Sequence, residues 1–255
     1  MKVLALALNT SREAIRNKVM YSILLFAAVL TAVSAAFGAA SLGDTLRFVK
    51  DFSFFSISLF GVITTVVLGV NLLSKELGRR TIFNILSKPV ARWKFLVGKF
   101  LGLLATVVSM LALMALALVG LLFALEGQMD WQVLPVVGTM MLELAVLSAA
   151  AIFFSSIVVT PALAGLFTAA TFIAGRSAGE LTYFAGPEQP PVLRAIARGL
   201  SAVLPHLDQL YVADRLSHGQ SLPVSFYAIA TAYAGAYVAV LLLLSVVIFR
   251  RREFV

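Results

Sequence analysis

One carboxylate stands in the middle of an otherwise apolar run, Glu143 in the stretch MMLELAVLS. An ionisable group at the centre of a membrane is costly, so it marks either a proton or cation site or an interhelical hydrogen bond. No second acid near the middle of another apolar run accompanies it to form a proton relay. We therefore favour a protonated or paired structural role for Glu143 and keep the ion site as the alternative.

Two further charges, Arg176 and Glu180, lie four residues apart near the end of another apolar run. On a helix this spacing allows the two side chains to pair. Such a pair could form an exit gate. An arginine near the membrane surface can also extend its side chain to the interface without any gating role. We favour this second interpretation, and both residues stay candidates for a gate.

A weakly polar stripe follows helical spacing in the run from 53 to 73. Its side chains could face a passage between helices, or they could form hydrogen bonds between packed helices. We take the passage as the working interpretation. The candidate pathway residues are Ser56, Phe60, Thr64 and Asn71.

Metal binding and nucleotide binding have little support in the sequence. His206, His218, Asp208 and Asp214 match no established spacing of metal ligands, and the chain has no cysteine. Gly98 and Lys99 are followed by a phenylalanine, so the phosphate-binding loop pattern is absent. We therefore predict no metal site, no cofactor and no catalytic residue in this chain.

The composition requires a membrane protein. Hydrophobic residues make up 61% of the 255 positions and charged residues only 13%, whereas soluble domains carry about 25% charged residues. A helix of roughly 20 apolar residues crosses a bilayer core. The sequence therefore predicts an all-α protein with six transmembrane helices in a single domain, 1–255. The apolar runs fall at about 19–40, 53–73, 97–124, 133–157, 161–183 and 225–249.

The positive charges indicate an orientation. Most of the 20 Lys and Arg residues lie in segments that face one side of the membrane when the apolar runs are spans. The positive-inside rule places that side in the cytoplasm, together with both termini. This orientation accounts for the net charge of +8 without a nucleic-acid partner.

Three connecting segments carry patterns of their own. Residues 1–18 have a narrow apolar stripe, which predicts an interfacial helix. Residues 73–86 can form a short amphipathic helix along the membrane surface, within a cytoplasmic loop at 74–96. After the breaker GPEQPP, the segment 185–224 is too long for a bare loop and predicts two short helices on the outer face.

The loop sequence SKELGRRTIFNILSKPVARWKFLVGK resembles the segment between spans two and three of bacterial ABC exporter permeases. The stretches NTSREAIRNKVMY, PHLDQLY and RRREF also resemble the NosY-like branch of that group. One departure is that Arg79 and Arg80 stand where members commonly have an acidic or polar residue and then Gly. The matching loop positions are Glu76, Gly78, Thr81, Leu86, Ser87, Pro89, Arg92, Gly98 and Lys99.

The resemblance implies a permease subunit of an ATP-driven exporter in the bacterial inner membrane. Its implied partners are a second permease copy or homologue and a cytoplasmic ABC ATPase dimer, which would hold ATP and Mg. In this family the loop between spans two and three carries a coupling helix that docks on the ATPase. The candidate coupling residues are Glu76, Gly78, Arg79, Arg80 and Thr81.

Two alternatives stay open beside the exporter. A secondary transporter driven by an ion gradient would be expected to carry several intramembrane ionisable groups or broken helices, and only Glu143 qualifies. An ATPase-coupled complex that transmits force to an outer-face protein through 185–224, without carrying a substrate, is equally compatible with the sequence. If a substrate crosses, the mostly apolar interior favours an amphipathic molecule over a small ion.

Overall fold

The computed structural model describes residues 2–15, 45–78, 92–158, 160–184, 186, 190–217 and 222–251, together with a few isolated positions between 21 and 33. No strand occurs among these residues, so the all-α prediction is confirmed for them. A 3-10 turn covers Leu207–Gln209. The α-helices are α1 Lys2–Ile15, α2 Thr45–Gly78, α3 Arg92–Glu126, α4 Val133–Ile157, α5 Pro161–Arg176, α6 Ala178–Phe184, α7 Pro191–Val203, α8 Ala213–Ser217 and α9 Val224–Arg251.

Four of the described helices, α2, α3, α4 and α9, are long and apolar enough to cross a membrane. They correspond to the second, third, fourth and sixth predicted spans. The first predicted span, 19–40, lies outside the described residues apart from isolated positions. The count of six spans therefore stays a prediction.

The fifth predicted span, 161–183, is not one helix. α5 ends at Arg176, and α6 begins at Ala178 after a turn at Ser177. The turn keeps its backbone hydrogen bonds, because the Ser177 N–H donates to the Ile173 carbonyl and the Ser177 carbonyl accepts from the Glu180 N–H. The chain thus changes direction here without leaving these backbone groups unsatisfied, which apolar surroundings would penalise.

α4 forms the centre of the bundle and packs against α2, α3, α5 and α9. It is apolar around its whole circumference, the pattern of a buried helix. α2 runs parallel to α4 and approaches it closely through small residues. A Cβ built at Gly69 would lie 2.7 Å from the Cβ of Ala151, which shows how near the two backbones are.

α1 packs along the first half of the α3 span instead of standing apart from the bundle. The approach uses Gly98 and Gly102, four residues apart on one face of α3. A Cβ at Gly102 would lie 2.5 Å from the Thr10 Cβ and 2.7 Å from the Ala7 carbonyl oxygen. Residues 2–15 are thus helical, as expected, and the interfacial position of this helix stays a prediction.

α2 continues as one helix through Glu76 to Gly78, and α3 already begins at Arg92. No glycine or proline interrupts the chain between Gly69 and Gly78, which lets the helix continue to this point. The placement of 74–96 in a cytoplasmic loop stays a prediction. Residues 79–91, with most of the predicted surface helix, lie outside the described residues.

The segment between α5 and α9, residues 178–223, is called the connector below. Its described part folds back onto the end of the bundle and is tied to α9 by two tyrosines. The Tyr233 hydroxyl accepts a hydrogen bond from the His206 N–H at 2.9 Å, and the Tyr237 hydroxyl donates to the Val203 carbonyl. At the same end, Lys50 Nζ lies 2.7 Å from Asp130 Oδ2 and joins α2 to the α3–α4 turn.

The connector meets α5 at Gly175, which gives the first testable prediction. A Cβ at this position would lie 2.6 Å from the Pro205 carbonyl oxygen, a backbone atom that cannot rotate away. Gly175→Ala is therefore expected to lower the free energy of unfolding by about 1–3 kcal/mol. Thermal unfolding of the purified chain in mild detergent measures this change.

Gly199→Ala is the matched control, because a Cβ at this exposed position in α7 would contact nothing within 4 Å. Alanine is the better helix former, so this variant should be as stable as the parent or more stable. Equal melting of Gly175→Ala and Gly199→Ala would mean that the connector does not pack on α5 as described.

Candidate functional site

The intramembrane carboxylate is paired. Glu143 of α4 accepts two hydrogen bonds from the guanidinium of Arg176 on α5, from Nε to Oε1 at 2.8 Å and from Nη2 to Oε2 at 3.0 Å. This is the bidentate arrangement in which a planar guanidinium fits a carboxylate best. This contact is compatible with the protonated or paired structural role favoured for Glu143 from the sequence, and that role stays a prediction.

Ser58 of α2 is a further hydrogen-bond partner of Arg176. Its Oγ accepts a hydrogen bond from Arg176 Nη2 at 2.8 Å, and the hydroxyl is buried. A single guanidinium therefore links three helices, α2, α4 and α5. Glu143 is 1% exposed, so its charge depends on this partner for most of its stabilisation.

Aromatic rings cover the other faces of Arg176. The Tyr211 ring of the connector lies over the guanidinium, with its centroid 3.7 Å from the central carbon, and the Phe172 centroid is 5.3 Å away. Both distances allow a cation–π interaction, which is strongest where water is excluded. The connector is thus held to the charged group that joins the helices.

Tyr211 lies outside the spanning helices, and burial raises the pKa of its hydroxyl above its ordinary value. The positive charge of Arg176 opposes this shift but is the smaller effect. A raised pKa keeps the phenol neutral throughout the physiological pH range. Tyr211 therefore contributes its ring to Arg176 and adds no negative charge that would compete with Glu143.

The site pairs the Glu143 carboxylate with the Arg176 guanidinium, which suits a structural or gating connection. A reaction that removes a proton from a substrate would need a proton acceptor other than this paired carboxylate. Among the residues that the structure describes, no group of three His, Cys, Asp or Glu side chains is close enough to hold a metal ion. His218, one of the four residues considered for a metal, lies outside them.

The candidate pathway residues on α2 lie mostly inside the protomer. Ser56, Phe60 and Thr64 are buried, whereas Asn71 is exposed. The Ser56 hydroxyl donates to the Phe52 carbonyl at 2.8 Å, and the Asn71 amide donates to the Val67 carbonyl at 2.7 Å. Ser56 and Asn71 thus bond within α2, and a part of the four residues in a pathway stays a prediction.

The exposed face of α2 is a different one, made of Phe55, Leu59 and Ile63. Sequence reasoning did not single these residues out, since apolar side chains on a span carry no distinguishing signal. Of the two gate candidates, Arg176 belongs to the buried pair and Glu180 is exposed on α6. The spacing also allows a pair with Glu180, but in the structure Arg176 pairs with Glu143, and a gate role for Arg176 and Glu180 stays a prediction.

The candidate coupling residues are only partly within the described structure. Glu76 and Gly78 occupy the last turns of α2, while Arg79, Arg80 and Thr81 lie outside the described residues. Because α2 is unbroken, Glu76 and Ser58 stand on one helix about 27 Å apart along its axis. Two of the candidate coupling residues and the serine that contacts Arg176 thus stand on the same helix.

The chain was compared with models of known protein families. The model of a family described as "ABC-2 family transporter protein" matches residues 4–254. A comparison with curated proteins found no match.

Proposed function

Because the chain belongs to the ABC-2 family of transporter proteins, we propose that it is the permease subunit of an ATP-driven exporter in the bacterial inner membrane. The observation that carries this proposal is the family match over 4–254, together with four described helices able to cross a membrane. A partner ABC ATPase dimer holds the ATP and Mg. A second permease copy or homologue completes the pathway. Both termini lie in the cytoplasm, as the positive charges indicate.

The proposed mechanism is mechanical. The ATPase docks on Glu76, Gly78 and the three residues that follow them, and a carboxylate there can form charge-assisted hydrogen bonds. Closure of the ATPase dimer moves this end of α2. Since α2 is continuous to Ser58, the motion reaches Arg176 as a rigid-body displacement.

At the other end, the Glu143–Arg176 pair and Tyr211 hold α4, α5 and the connector together. In this proposal they form the closed exit gate, and a shift of Ser58 loosens it. The exposed apolar residues Phe55, Leu59 and Ile63 of α2 suit a pathway for an amphipathic substrate.

The test is purification of the tagged chain from its native membrane in mild detergent, followed by identification of what accompanies it. An ABC ATPase is expected with the parent chain. Glu76→Arg should reduce the recovered ATPase by about tenfold or more, since reversing a docking charge costs more than 1.4 kcal/mol.

Glu180→Arg is the matched control, a charge reversal on an exposed residue at the opposite end of the bundle. It should leave the ATPase bound. Absence of any ATPase from the parent sample would contradict the exporter proposal. It would favour the alternative of a transporter driven by an ion gradient, with Glu143 as its ion site.

A second proposal, force transmission to an outer-face protein, is favoured by one observation. α7 in the connector exposes large apolar side chains, among them Val192 and Val203, while Tyr211 ties the connector to Arg176. In that case the same purification should bring down a non-ATPase protein. Its recovery should fall in Val192→Glu while the ATPase stays bound.

A further inference from the structure

Two tyrosine hydroxyls of α9 bind the backbone of the connector at the turn that follows α7. The Tyr237 hydroxyl donates to the Val203 carbonyl. The Tyr233 hydroxyl accepts from the His206 N–H at 2.9 Å. Val203 is the last residue of α7, so its carbonyl has no donor within that helix. The two tyrosine rings have their centroids 5.8 Å apart, and both hydroxyls therefore bind the same short stretch of chain.

Beyond this turn the connector enters the bundle. Leu207 and Leu210 are buried, and they pack in one cluster with Val146 of α4 and two alanines of α9. The Leu207 carbonyl accepts hydrogen bonds from the N–H groups of Leu210 and Tyr211, which closes this stretch on itself. Residues 203–211 thus form one compact unit, called the turn segment below, and α9 holds this unit at its start.

The turn segment ends at Tyr211, whose ring lies over the Arg176 guanidinium with its centroid 3.7 Å from the central carbon. A cation–π contact requires the cation within about 6 Å of the ring centroid. A displacement of the turn segment by about 3 Å would therefore end the contact. The position of the whole segment, and not only the presence of the ring, decides whether Arg176 is covered.

We propose that Tyr233 and Tyr237 are positioning residues for the charge pair. Their hydroxyls bind backbone groups of the turn segment, so they act on Arg176 through Tyr211. While both hydrogen bonds are made, the ring stays over the guanidinium; when they break, Arg176 is uncovered. This positioning is a property of the chain alone, and its use in the exit gate rests on the proposed function.

The inference gives α9 a part in the gate beside that of α2. α9 is one helix, and near its other end Phe249 stacks on Phe95 of α3, with ring centroids 6.1 Å apart. Phe95 lies in the first turn of α3, within the predicted cytoplasmic loop. A motion of this loop can therefore reach the turn segment through α9, as it reaches Arg176 through Ser58 and α2.

The test measures the accessibility of Arg176 in the full chain, purified alone in mild detergent. Phenylglyoxal modifies accessible arginine side chains, and peptide mass spectrometry gives the rate of modification at each of them. The double variant Tyr233→Phe with Tyr237→Phe should raise the rate at Arg176 about tenfold, because both hydrogen bonds to the turn segment are lost while the rings remain. The rate at Arg198, which is exposed already, should stay the same.

Tyr227→Phe is the matched control. It removes the same hydroxyl from the same helix, at a residue whose ring packs edge-on against Phe226. The rate at Arg176 should stay at that of the parent chain. Equal rates in Tyr227→Phe and in the double variant would overturn the proposal. If the double variant does not fold, Tyr233→Phe alone carries the same comparison, with a smaller expected increase because one hydrogen bond remains.

A second comparison separates positioning from a general loss of stability. Tyr211→Leu removes the ring directly and should raise the rate at Arg176 by itself. If the two hydroxyls act through Tyr211, adding Tyr233→Phe and Tyr237→Phe to this variant should raise the rate no further. A further, additive increase would overturn the proposal. Because the ATPase is absent from this experiment, its outcome is independent of the Glu76→Arg test.

Discussion

Arg176→Gln is expected to lower the free energy of unfolding by about 3–5 kcal/mol, the usual cost of removing one partner from a buried ion pair. The cost arises at Glu143, which is 1% exposed and loses both of its charge-assisted hydrogen bonds. Ser58 and the Tyr211 ring lose their contact with the guanidinium at the same time. Unfolding of the purified chain in mixed micelles measures the loss.

A double-mutant cycle separates the pair from its surroundings. Glu143→Gln leaves Arg176 without a counter-charge and is also expected to destabilise the chain, though less, because the Arg176 side chain is 25% exposed and keeps some water. The double variant should recover most of the loss, since two neutral amides can hydrogen-bond to each other. Independent, additive effects of the two substitutions would contradict the pair.

Glu180→Gln is the control for specificity. The sequence spacing allows Glu180 to pair with Arg176, but the structure gives Arg176 to Glu143. Glu180 is exposed, and its substitution should change stability by less than about 0.5 kcal/mol. A loss of stability comparable to that of Glu143→Gln would show that Arg176 pairs with Glu180 after all.

Long apolar helices were predictable because twenty or so consecutive apolar residues have few alternatives to a span. α4 and α9 match their predicted runs closely. The break at Ser177 lies between Gly175 and Gly179, which weaken a helix, but the apolar pattern of 161–183 predicts a single span. The break depends on the connector, which folds back so that Pro205 contacts Gly175.

The functional site, like the fold, was predictable from the sequence only in part. Glu143 could be singled out from its own sequence, because a carboxylate in an apolar run is conspicuous. Its partner is 33 residues away, and the pairing is set by how α4 and α5 pack. A comparison of depths could have suggested it, since Arg176 lies near one end of its predicted span and Glu143 lies ten residues from the start of α4. Ser58 and Tyr211 carried no such signal.

The close packing of α1 on α3 gives the last prediction. Gly102→Leu should detach α1, because the new Cβ would lie 2.5 Å from the Thr10 Cβ and 2.7 Å from the Ala7 carbonyl oxygen, and neither atom can move by side-chain rotation. The two helices can then fit only by separating, which loses their whole contact.

A disulfide reports this separation, since the chain has no cysteine of its own. The hydroxyl oxygens of Ser11 and Thr106 are 3.4 Å apart, so Ser11→Cys with Thr106→Cys should cross-link readily. Adding Gly102→Leu should reduce the cross-link about tenfold, whereas Gly120→Leu, where a Cβ would contact nothing within 4 Å, should leave it intact. Equal cross-linking in both would show that α1 does not depend on Gly102.

This result bears on transport as well. α3 begins at Arg92, in the same predicted cytoplasmic loop as the residues proposed to dock on the ATPase, and α1 is packed against its first half. If α1 moves with α3 as one body, Gly102→Leu should leave ATPase binding intact and weaken the coupling of ATP hydrolysis to transport. The effect would differ from that of Glu76→Arg, which is expected to remove the ATPase itself.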